Sequence, residues 1–240
     1  MNLKEYYRKQ AFDPGFTGIF MNPFYFSRKG LMREIASLSD GITGRTLDIG
    51  CGAKPYESLF QSGEYVGLEL DTPENRATKK ADVFYDGGAF PFQDGEFDSV
   101  VAFQVLEHVF EPERFLSEVF RVLRDDGCVL LTVPFLWAEH EQPYDYARYS
   151  SFGLRSLIGR NGFDIQAHRK TMADIRAVFQ LVNAYIYSAV ATRNRYVNLI
   201  LTALLMSPFT MLGIVLHPII PKSGDMYLDN VILARKKRSG

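Results

Sequence analysis

Hydrophobic and polar positions alternate along this chain with two different periods. Short apolar runs predict buried strands, and stripes of apolar residues three or four apart predict helices. The predicted strands are 46–49, 65–69, 97–103, 128–133, 165–169 and 228–234. The predicted helices are 27–39, 55–60, 113–123 and 175–191, with Pro55 in the first turn of the second and Gly127 as the exit of the third. Strands that alternate with helices favour a doubly wound α/β sheet, mostly parallel and covered on both faces.

The turn after the first predicted strand is rich in glycine. The run Leu47-Asp48-Ile49-Gly50-Cys51-Gly52 joins a buried strand to a tight turn that allows close approach to the backbone. The second predicted strand ends in Glu69, and an acid at that place can accept hydrogen bonds from ribose hydroxyls. The pairing of the turn with Glu69 therefore predicts a site for a nucleoside cofactor.

Composition narrows the function classes. The 240 residues are 47% apolar and carry a net charge of −1, which argues against a nucleic-acid partner. Cys51 and Cys128 have no framework spacing, and residues 1–8 lack an apolar run, so we expect no disulfide, no signal peptide and a cytoplasmic protein. Four scattered histidines and two distant cysteines give no ligand spacing, and we expect no metal site.

Several further motifs follow the glycine turn in a fixed order. They are Val66-Gly67-Leu68-Glu69, Asp86 ahead of Phe90-Pro91-Phe92, Gly95-Glu96-Phe97-Asp98, Leu106-Glu107-His108-Val109, and Arg121-Val122-Leu123 running to Asp126-Gly127. In this order and spacing the chain resembles the class I S-adenosylmethionine-dependent methyltransferases, in their type 11-like branch. The resemblance covers about residues 46–163 and the last strand. It implies a seven-stranded Rossmann-like sheet and S-adenosyl-L-methionine as cofactor.

The resemblance also implies roles for individual residues. Asp48 would lie near the methionine amino group, the backbone of Gly50, Cys51 and Gly52 would pass beneath the cofactor, and Glu69, followed by Leu70, would hold the ribose. Asp86 and Gly87 would face the adenine, and Gln104 would line the methionine side. Lys54 is a departure, because many relatives have a third glycine there.

The acceptor chemistry is predicted in the loop after strand 128–133. This loop resembles a segment of methyltransferases associated with glycan or natural-product pathways, and His140 is the first candidate for a general base. An alternative leaves His140 and Glu141 as solvated residues, while Asp145 and Arg148 pair to hold the loop. His108 suits a role in the fold or the cofactor pocket better than catalysis.

An apolar insertion precedes the last strand. Residues 197–220 contain no Asp, Glu, Lys or Arg, and their length is that of a transmembrane helix, but both flanking strands must join one sheet. Three interpretations stay open: a monotopic hairpin that bends at Ser207-Pro208 and dips into one leaflet, a lid over the substrate, and a homodimer contact. The tail 235–238 would add attraction to anionic lipid, or would merely solubilise the chain.

Together these features predict a single methyltransferase domain over residues 1–240. It comprises a cap with the first helix (1–40), a cofactor-binding core (41–170), a helical apolar insertion (171–224), and the last strand with a basic tail (225–240). The expected activity is O-methylation of a small-molecule, glycan or lipid-linked acceptor by in-line transfer, at the inner face of the membrane. The alternatives are methylation of a quinone or polyketide-like ring in an apolar tunnel, and a non-catalytic cofactor-binding scaffold.

Overall fold

The computed structural model describes residues 3–238, with side chains from residue 5 onward. The chain divides into two compact units. The helical unit contains the residues up to Glu34, Phe135–Ala138 and Lys170–Asp229. The sheet unit contains Ile35–Pro134, Glu139–Arg169 and the residues from Asn230 onward.

A seven-stranded sheet organises the sheet unit, as predicted from the sequence. Within residues 3–238 its strands are β1 Thr43–Ile49, β2 Gln61–Leu70, β3 Val83–Tyr85, β4 Phe97–Phe103, β5 Leu123–Pro134, β6 Phe163–Lys170 and β7 Asp229–Lys236. Their order is β3-β2-β1-β4-β5-β7-β6, and the four pairings among β1 to β5 are parallel. The order reverses at β1, so the ends of β1 and β4 form the crevice in which open α/β sheets bind ligands.

The helices are assigned over the same described residues. They are α1 Leu3–Phe12, α2 Gly18–Met21, α3 Tyr25–Ser37, α4 Pro73–Thr78, α5 Pro112–Val122, α6 Ser151–Arg160, α7 Ile175–Val190, α8 Arg195–Leu201 and α9 Ser207–Leu216. The core of the sheet unit joins apolar side chains of β1, β2, β4 and β5 to the apolar faces of α5 and α6. Leu116 and Val119 of α5 and Leu154 and Ile158 of α6 are fully buried there.

Two local predictions need correction. Residues 55–60 do not form an α-helix but a single 3₁₀ turn, Glu57–Leu59, because β2 already begins at Gln61. Gly127 is not a helix exit, since α5 ends at Val122 and β5 begins at the next residue. The sequence pattern also missed β3, α4 and α6. β3 has three half-buried residues, too few to show a period.

The helical unit contains two long helical segments, α7 and the stretch from α8 to α9. α7 agrees with its predicted bounds, and α8, a π-helical segment Thr202–Met206 and α9 continue as one helix. The chain therefore has no hairpin bend at Ser207-Pro208, which one of the three interpretations of the insertion required. It turns back between α7 and α8, and Asn183 of α7 donates a hydrogen bond to Thr210 of α9 at 2.9 Å.

The helix Arg195–Leu216 has the length and the apolar composition of a membrane-spanning helix. It is the only such helix among the described residues, and 28% of its most apolar stretch of 18 residues is buried. One such helix is weak evidence for a membrane span, because a core helix of a soluble protein can have the same length and composition.

The basic tail is partly engaged by the sheet unit. Lys236 lies in β7, is buried, and donates a hydrogen bond to the carbonyl oxygen of Leu123 at 2.7 Å. Arg238 forms an ion pair with Asp126 at 2.5 Å. Two of the four tail charges thus have partners within the protein, which reduces what the tail can offer to anionic lipid.

Candidate functional site

The turn after β1 forms the floor of the candidate site. Gly50 and Gly52 both adopt positive φ angles, 67° and 54°, which favour glycine. The amide of Gly50 donates to the carbonyl oxygen of Leu68 at 2.9 Å, and the amide of Gly52 donates to Oε1 of Glu69 at 2.7 Å. The acid at the end of β2 is therefore tied to the glycine turn, as the sequence pairing predicted.

A cavity of about 540 Å³ opens above this turn, within the sheet unit. That volume falls in the range of small-molecule and cofactor sites. Its lining includes five of the predicted cofactor residues together with further polar and apolar groups. The lining residues are Ile49, Gly50, Glu69, Leu70, Asp71, Thr72, Asn75, Lys79, Tyr85, Asp86, Gln104, Val105, His108, Val109, Glu141 and Tyr144.

Gly52 is not among the residues described as lining the cavity, and neither are the buried side chains of Asp48 and Cys51. Both are 2% exposed. The Asp48 carboxylate accepts a hydrogen bond from the hydroxyl of Tyr65 at 2.8 Å, and burial raises the pKa of Asp48 to about 7. Burial also raises the pKa of the Cys51 thiol to about 12, so that the thiol is neutral. A direct contact of Asp48 with the methionine amino group stays a prediction.

Lys54 occupies the position where many relatives have glycine. Its φ is 52°, so the backbone keeps the left-handed conformation that glycine favours. The Lys54 ammonium donates to Asp82 at 2.5 Å and to the carbonyl oxygen of Tyr65 at 3.3 Å. Asp82 also accepts from the amide of Gly67 at 2.6 Å, so Lys54 links the turn to β2.

Asp86, Gly87 and Gln104 occupy the edges of the site. Asp86 accepts a hydrogen bond from the amide of Gly88 at 2.8 Å, and Gly87, with φ of 89°, lines an adjoining cavity of about 250 Å³. Gln104 follows β4 with φ of 57°, and its amide group donates to Thr132 Oγ1 at 3.1 Å. These residues surround the cavity, while their individual contacts to a cofactor stay predictions.

A cluster of three acid–base side chains adjoins the cavity. We call Glu107, His108 and His140 the Glu–His–His cluster. Nε2 of His108 lies 3.8 Å and Nε2 of His140 lies 4.0 Å from Oε1 of Glu107, which is fully buried. The two imidazole rings are 4.8 Å apart, edge to face. The spacing argument against a ligand cluster missed this group, because only the fold brings His140 to the segment after β4.

The loop that carries His140 is held by Asp145 and Arg148. The Arg148 guanidinium donates to both carboxylate oxygens of Asp145 at 2.6 Å, which confirms the predicted pair. Those hydrogen bonds lower the pKa of Asp145 to about 2. Asp145 Oδ2 also accepts from the backbone amide of His140 at 2.9 Å and lies 3.3 Å from its Nδ1. The loop is therefore fixed around the imidazole.

Several lining residues were missed in the sequence. Asp71, Thr72 and Asn75 follow Glu69 at the carboxyl end of β2, where Thr72 accepts from the amide of Asn75 at 3.1 Å and caps α4. The sequence could have revealed them, because the run Thr72-Pro73-Glu74 is typical of the start of a helix. Tyr144 had no such signal, since its carbonyl oxygen reaches Nδ1 of His108, at 2.8 Å, only through the tertiary fold.

Comparison with known proteins gives one family match and several relatives. The family described as a methyltransferase domain matches residues 47–131. An uncharacterized protein of Methanocaldococcus jannaschii is 31% identical over 137 residues, 55% of this chain and 52% of that protein. A protein named as a probable S-adenosylmethionine-dependent methyltransferase, from Mycolicibacterium smegmatis, is 30% identical over 125 residues, 49% of this chain and 48% of that protein. The chain thus spans about half the length of these relatives.

A solved structure supports the same fold. Phosphoethanolamine N-methyltransferase 2 of Haemonchus contortus, in complex with S-adenosyl-L-methionine, superposes with a TM-score of 0.55. The match covers 97% of this chain and 60% of that one, at 19% identity. At that identity the likeness concerns the fold alone.

Proposed function

The chain carries a class I methyltransferase domain whose cofactor is S-adenosyl-L-methionine, and from that premise we propose that it methylates a hydroxyl oxygen of a glycan or lipid-linked acceptor. One observation carries the proposal. His108 lines the cofactor cavity and at the same time belongs to the Glu–His–His cluster, so groups able to handle a proton adjoin the methyl donor.

The cavity fits the cofactor in its chemistry. Glu69 and Asp86 offer carboxylate oxygens for ribose hydroxyls and an adenine amino group, and the turn at Gly50 leaves its backbone uncovered. When bound, S-adenosylmethionine supplies a methyl group whose transfer breaks a carbon–sulfur bond, forms a carbon–oxygen bond on the acceptor and leaves S-adenosylhomocysteine. The protein's tasks are to align the acceptor and to receive its hydroxyl proton.

His140 is the predicted proton acceptor in this proposal. This role requires the tautomer with a proton on Nδ1, which lies 3.3 Å from Asp145 Oδ2, so that the lone pair of Nε2 can accept the proton of the hydroxyl. Asp145 then stabilises the imidazolium that forms, because its own pKa lies at about 2 and it stays ionised. Asp145 is thus a positioning residue for His140.

The test of this role is the variant His140→Asn. We expect kcat to fall by about 100-fold or more, while the affinity for S-adenosylmethionine, measured by calorimetry, stays within about twofold. His168→Gln is the matched control, because His168 pairs with Asn230 in the sheet unit and we expect wild-type kcat. An unchanged kcat in His140→Asn would refute the role.

The acceptor class follows from the surface of the helical unit. Leu204 and Val215, on the helix Arg195–Leu216, are 67% and 60% exposed, and Tyr185 of α7 is 76% exposed. No Asp, Glu, Lys or Arg follows Arg195 until Lys222. An exposed apolar helix with cations at its ends matches a segment that lies in a lipid interface. We therefore place the protein at the inner face of a membrane, where lipid-linked acceptors are found.

Strand topology favours this lateral docking over a single crossing. β6 and β7 precede and follow the insertion, and they are neighbours in one sheet. One passage across the bilayer would leave these two strands on opposite sides. A helical pair that enters and returns on the same side is compatible with the sheet.

Vesicle binding tests the docking surface. We expect the full chain to sediment with vesicles that contain anionic lipid, and the double variant Leu204→Ser/Val215→Ser to lose most of that binding. Phe110→Ser/Phe152→Ser is the matched control, since both side chains are exposed in the sheet unit, and it should bind as the wild type does. Absence of vesicle binding, or a dimer that the helix variant abolishes, would overturn the membrane assignment.

The acceptor itself is tested with labelled cofactor. Incubation of the protein with methyl-labelled S-adenosylmethionine and separated lipid and aqueous extracts should place the label in the lipid fraction. Label confined to a water-soluble product would contradict the lipid-linked class. Cofactor binding without any labelled product would indicate a scaffold rather than an enzyme.

A further inference from the structure

Three ligand-type atoms of the Glu–His–His cluster converge on one point. One ligand atom from each of the three residues lies within 4.8 Å of the other two, and both Nε2 atoms lie near Oε1 of Glu107. In a tetrahedral zinc site, donor atoms about 2.1 Å from the metal lie about 3.4 Å apart. The two distances from Oε1, 3.8 and 4.0 Å, need to shorten by only about half an ångström. We propose that this cluster binds a divalent transition-metal ion.

The hydrogen bond of the His108 imidazole supports this assignment. Nδ1 of His108 lies 2.8 Å from the carbonyl oxygen of Tyr144, which only accepts, so Nδ1 carries the proton and Nε2 carries the lone pair. Nδ1 of His140 lies 3.3 Å from Asp145 Oδ2 and 3.4 Å from the Arg148 guanidinium. The guanidinium only donates, so the contact with Arg148 uses the lone pair of Nδ1. Binding of an ion through Nε2 requires the other tautomer, in which the Nδ1 proton is directed to Asp145. Metal-ligating histidines commonly have such a partner at the opposite nitrogen.

The donor set indicates the kind of ion. Two neutral imidazoles with one carboxylate suit Zn²⁺ and other late first-row ions, whereas Mg²⁺ and Ca²⁺ prefer sites made of oxygen. The fully buried carboxylate of Glu107 supplies one negative charge to a site that would receive two positive ones. The preference for Zn²⁺ over Mg²⁺ is thus a direct expectation of the proposal.

The metal would deepen the proposed function, on which this consequence rests. Three protein ligands leave a coordination position for water or for the acceptor oxygen, and His108 places the site at the wall of the cofactor cavity. A hydroxyl bound there has a lowered pKa and can release its proton to water before it attacks the methyl group. In the metal-bound form Nε2 of His140 would be a ligand, so the general-base role proposed above for His140 would apply to the metal-free form alone.

Metal titration tests the site independently of catalysis. Full-length protein, treated with a chelator and exchanged into metal-free buffer, is titrated with Zn²⁺ by calorimetry and with Co²⁺ by visible absorption. We expect one ion per chain with a Zn²⁺ Kd below about 1 µM, Co²⁺ bands typical of nitrogen and oxygen ligands, and at least 100-fold weaker binding of Mg²⁺.

Two ligand variants and one control complete the test. Glu107→Gln and His140→Asn should each weaken Zn²⁺ binding by about 100-fold, and His168→Gln should leave it unchanged. Binding of S-adenosylhomocysteine checks that each variant is folded. A wild-type protein that binds Zn²⁺ but not S-adenosylhomocysteine would contradict the proposed function and leave the metal site standing. Zn²⁺ binding that persists in both ligand variants, or a wild type that binds no ion, would overturn the proposal.

Discussion

Gly50 and Gly52 lie in the same turn but differ in their surroundings. A Cβ atom on Gly50 would come within 2.6 Å of Cγ2 of Val105, whereas a Cβ on Gly52 would meet no described atom within 4 Å. Both backbones have positive φ angles, so both substitutions carry backbone strain. Only the first adds a steric clash, next to the cofactor cavity.

This difference predicts unequal effects of two alanine substitutions. Gly52→Ala should lower the free energy of unfolding by about 1 kcal/mol, and Gly50→Ala by about 2–4 kcal/mol, because the clash adds to the strain. Cofactor affinity should fall at least tenfold more in Gly50→Ala. Urea unfolding and calorimetry measure both effects, and equal effects of the two substitutions would contradict the argument.

Asp48 makes stability depend on pH. Burial raises the pKa of Asp48 from the ordinary 3.8 of an aspartate to about 7 in the folded state. Between these two pH values the folded state therefore holds a proton that the unfolded state has lost. The stability is therefore greatest at low pH in this window and falls as pH rises through about 7. Between pH 5 and pH 8 the titration of this carboxyl alone should lower the free energy of unfolding by about 3 kcal/mol.

The variant Asp48→Asn isolates this contribution. An amide at this position still accepts the hydrogen bond from Tyr65 but does not titrate. We expect the urea midpoint of the wild type to fall from pH 5 to pH 8, and that of Asp48→Asn to fall distinctly less. The same pH dependence in both proteins would show that Asp48 is not the group responsible.

At the scale of elements, a buried polar pair joins the two long helical segments of the helical unit. Asn183 and Thr210 are almost fully buried, and the bond between them lies where α7 faces α9. Apolar contacts alone specify the register of two packed helices only weakly, and a single buried polar contact between the helices fixes that register. The contact offers a reason why a helix with the composition of a membrane span carries a threonine at this position.

Thr210→Val should destabilise the helical unit by about 1–3 kcal/mol, because the Asn183 amide loses its acceptor in a buried place. Thr202→Val is the matched control. The Thr202 hydroxyl donates to the carbonyl oxygen of Asn198 within the same helix, and that oxygen keeps a backbone donor. Thermal unfolding followed by circular dichroism compares the two, and an equal cost would argue against a special role of the pair.

At the scale of the whole molecule, the cofactor cavity and the exposed apolar helix belong to different units. Every lining residue of the cavity lies in the sheet unit, and the helix Arg195–Leu216 lies in the helical unit. We expect S-adenosylmethionine at 100 times its Kd to stabilise the sheet unit by about 2.7 kcal/mol. The increase should be the same in Leu204→Ser/Val215→Ser, as measured by thermal unfolding, and a smaller increase would show that the helix contributes to cofactor binding.

Six of the seven strands, the glycine turn and the acid at the end of β2 could be predicted from the sequence alone. These features depend on local rules, since a buried strand reads as an apolar run and a left-handed turn demands glycine or a tolerated substitute such as Lys54. The pairing of Asp145 with Arg148 was also readable, because three residues separate them in one loop. Element ends were less readable, as β5 shows by beginning before Gly127.

Only the tertiary structure decided which distant side chains meet. His108 follows β4 and His140 follows β5, and parallel pairing of these strands brings their carboxyl ends to one edge of the sheet. Asp48 meets Tyr65 across β1 and β2 for the same reason. The periodicity of apolar residues shows which face of a helix or strand is buried. It carries no information on which residue of another element a given side chain contacts. The methyl donor could thus be inferred from the chain, while the Glu–His–His cluster required the fold.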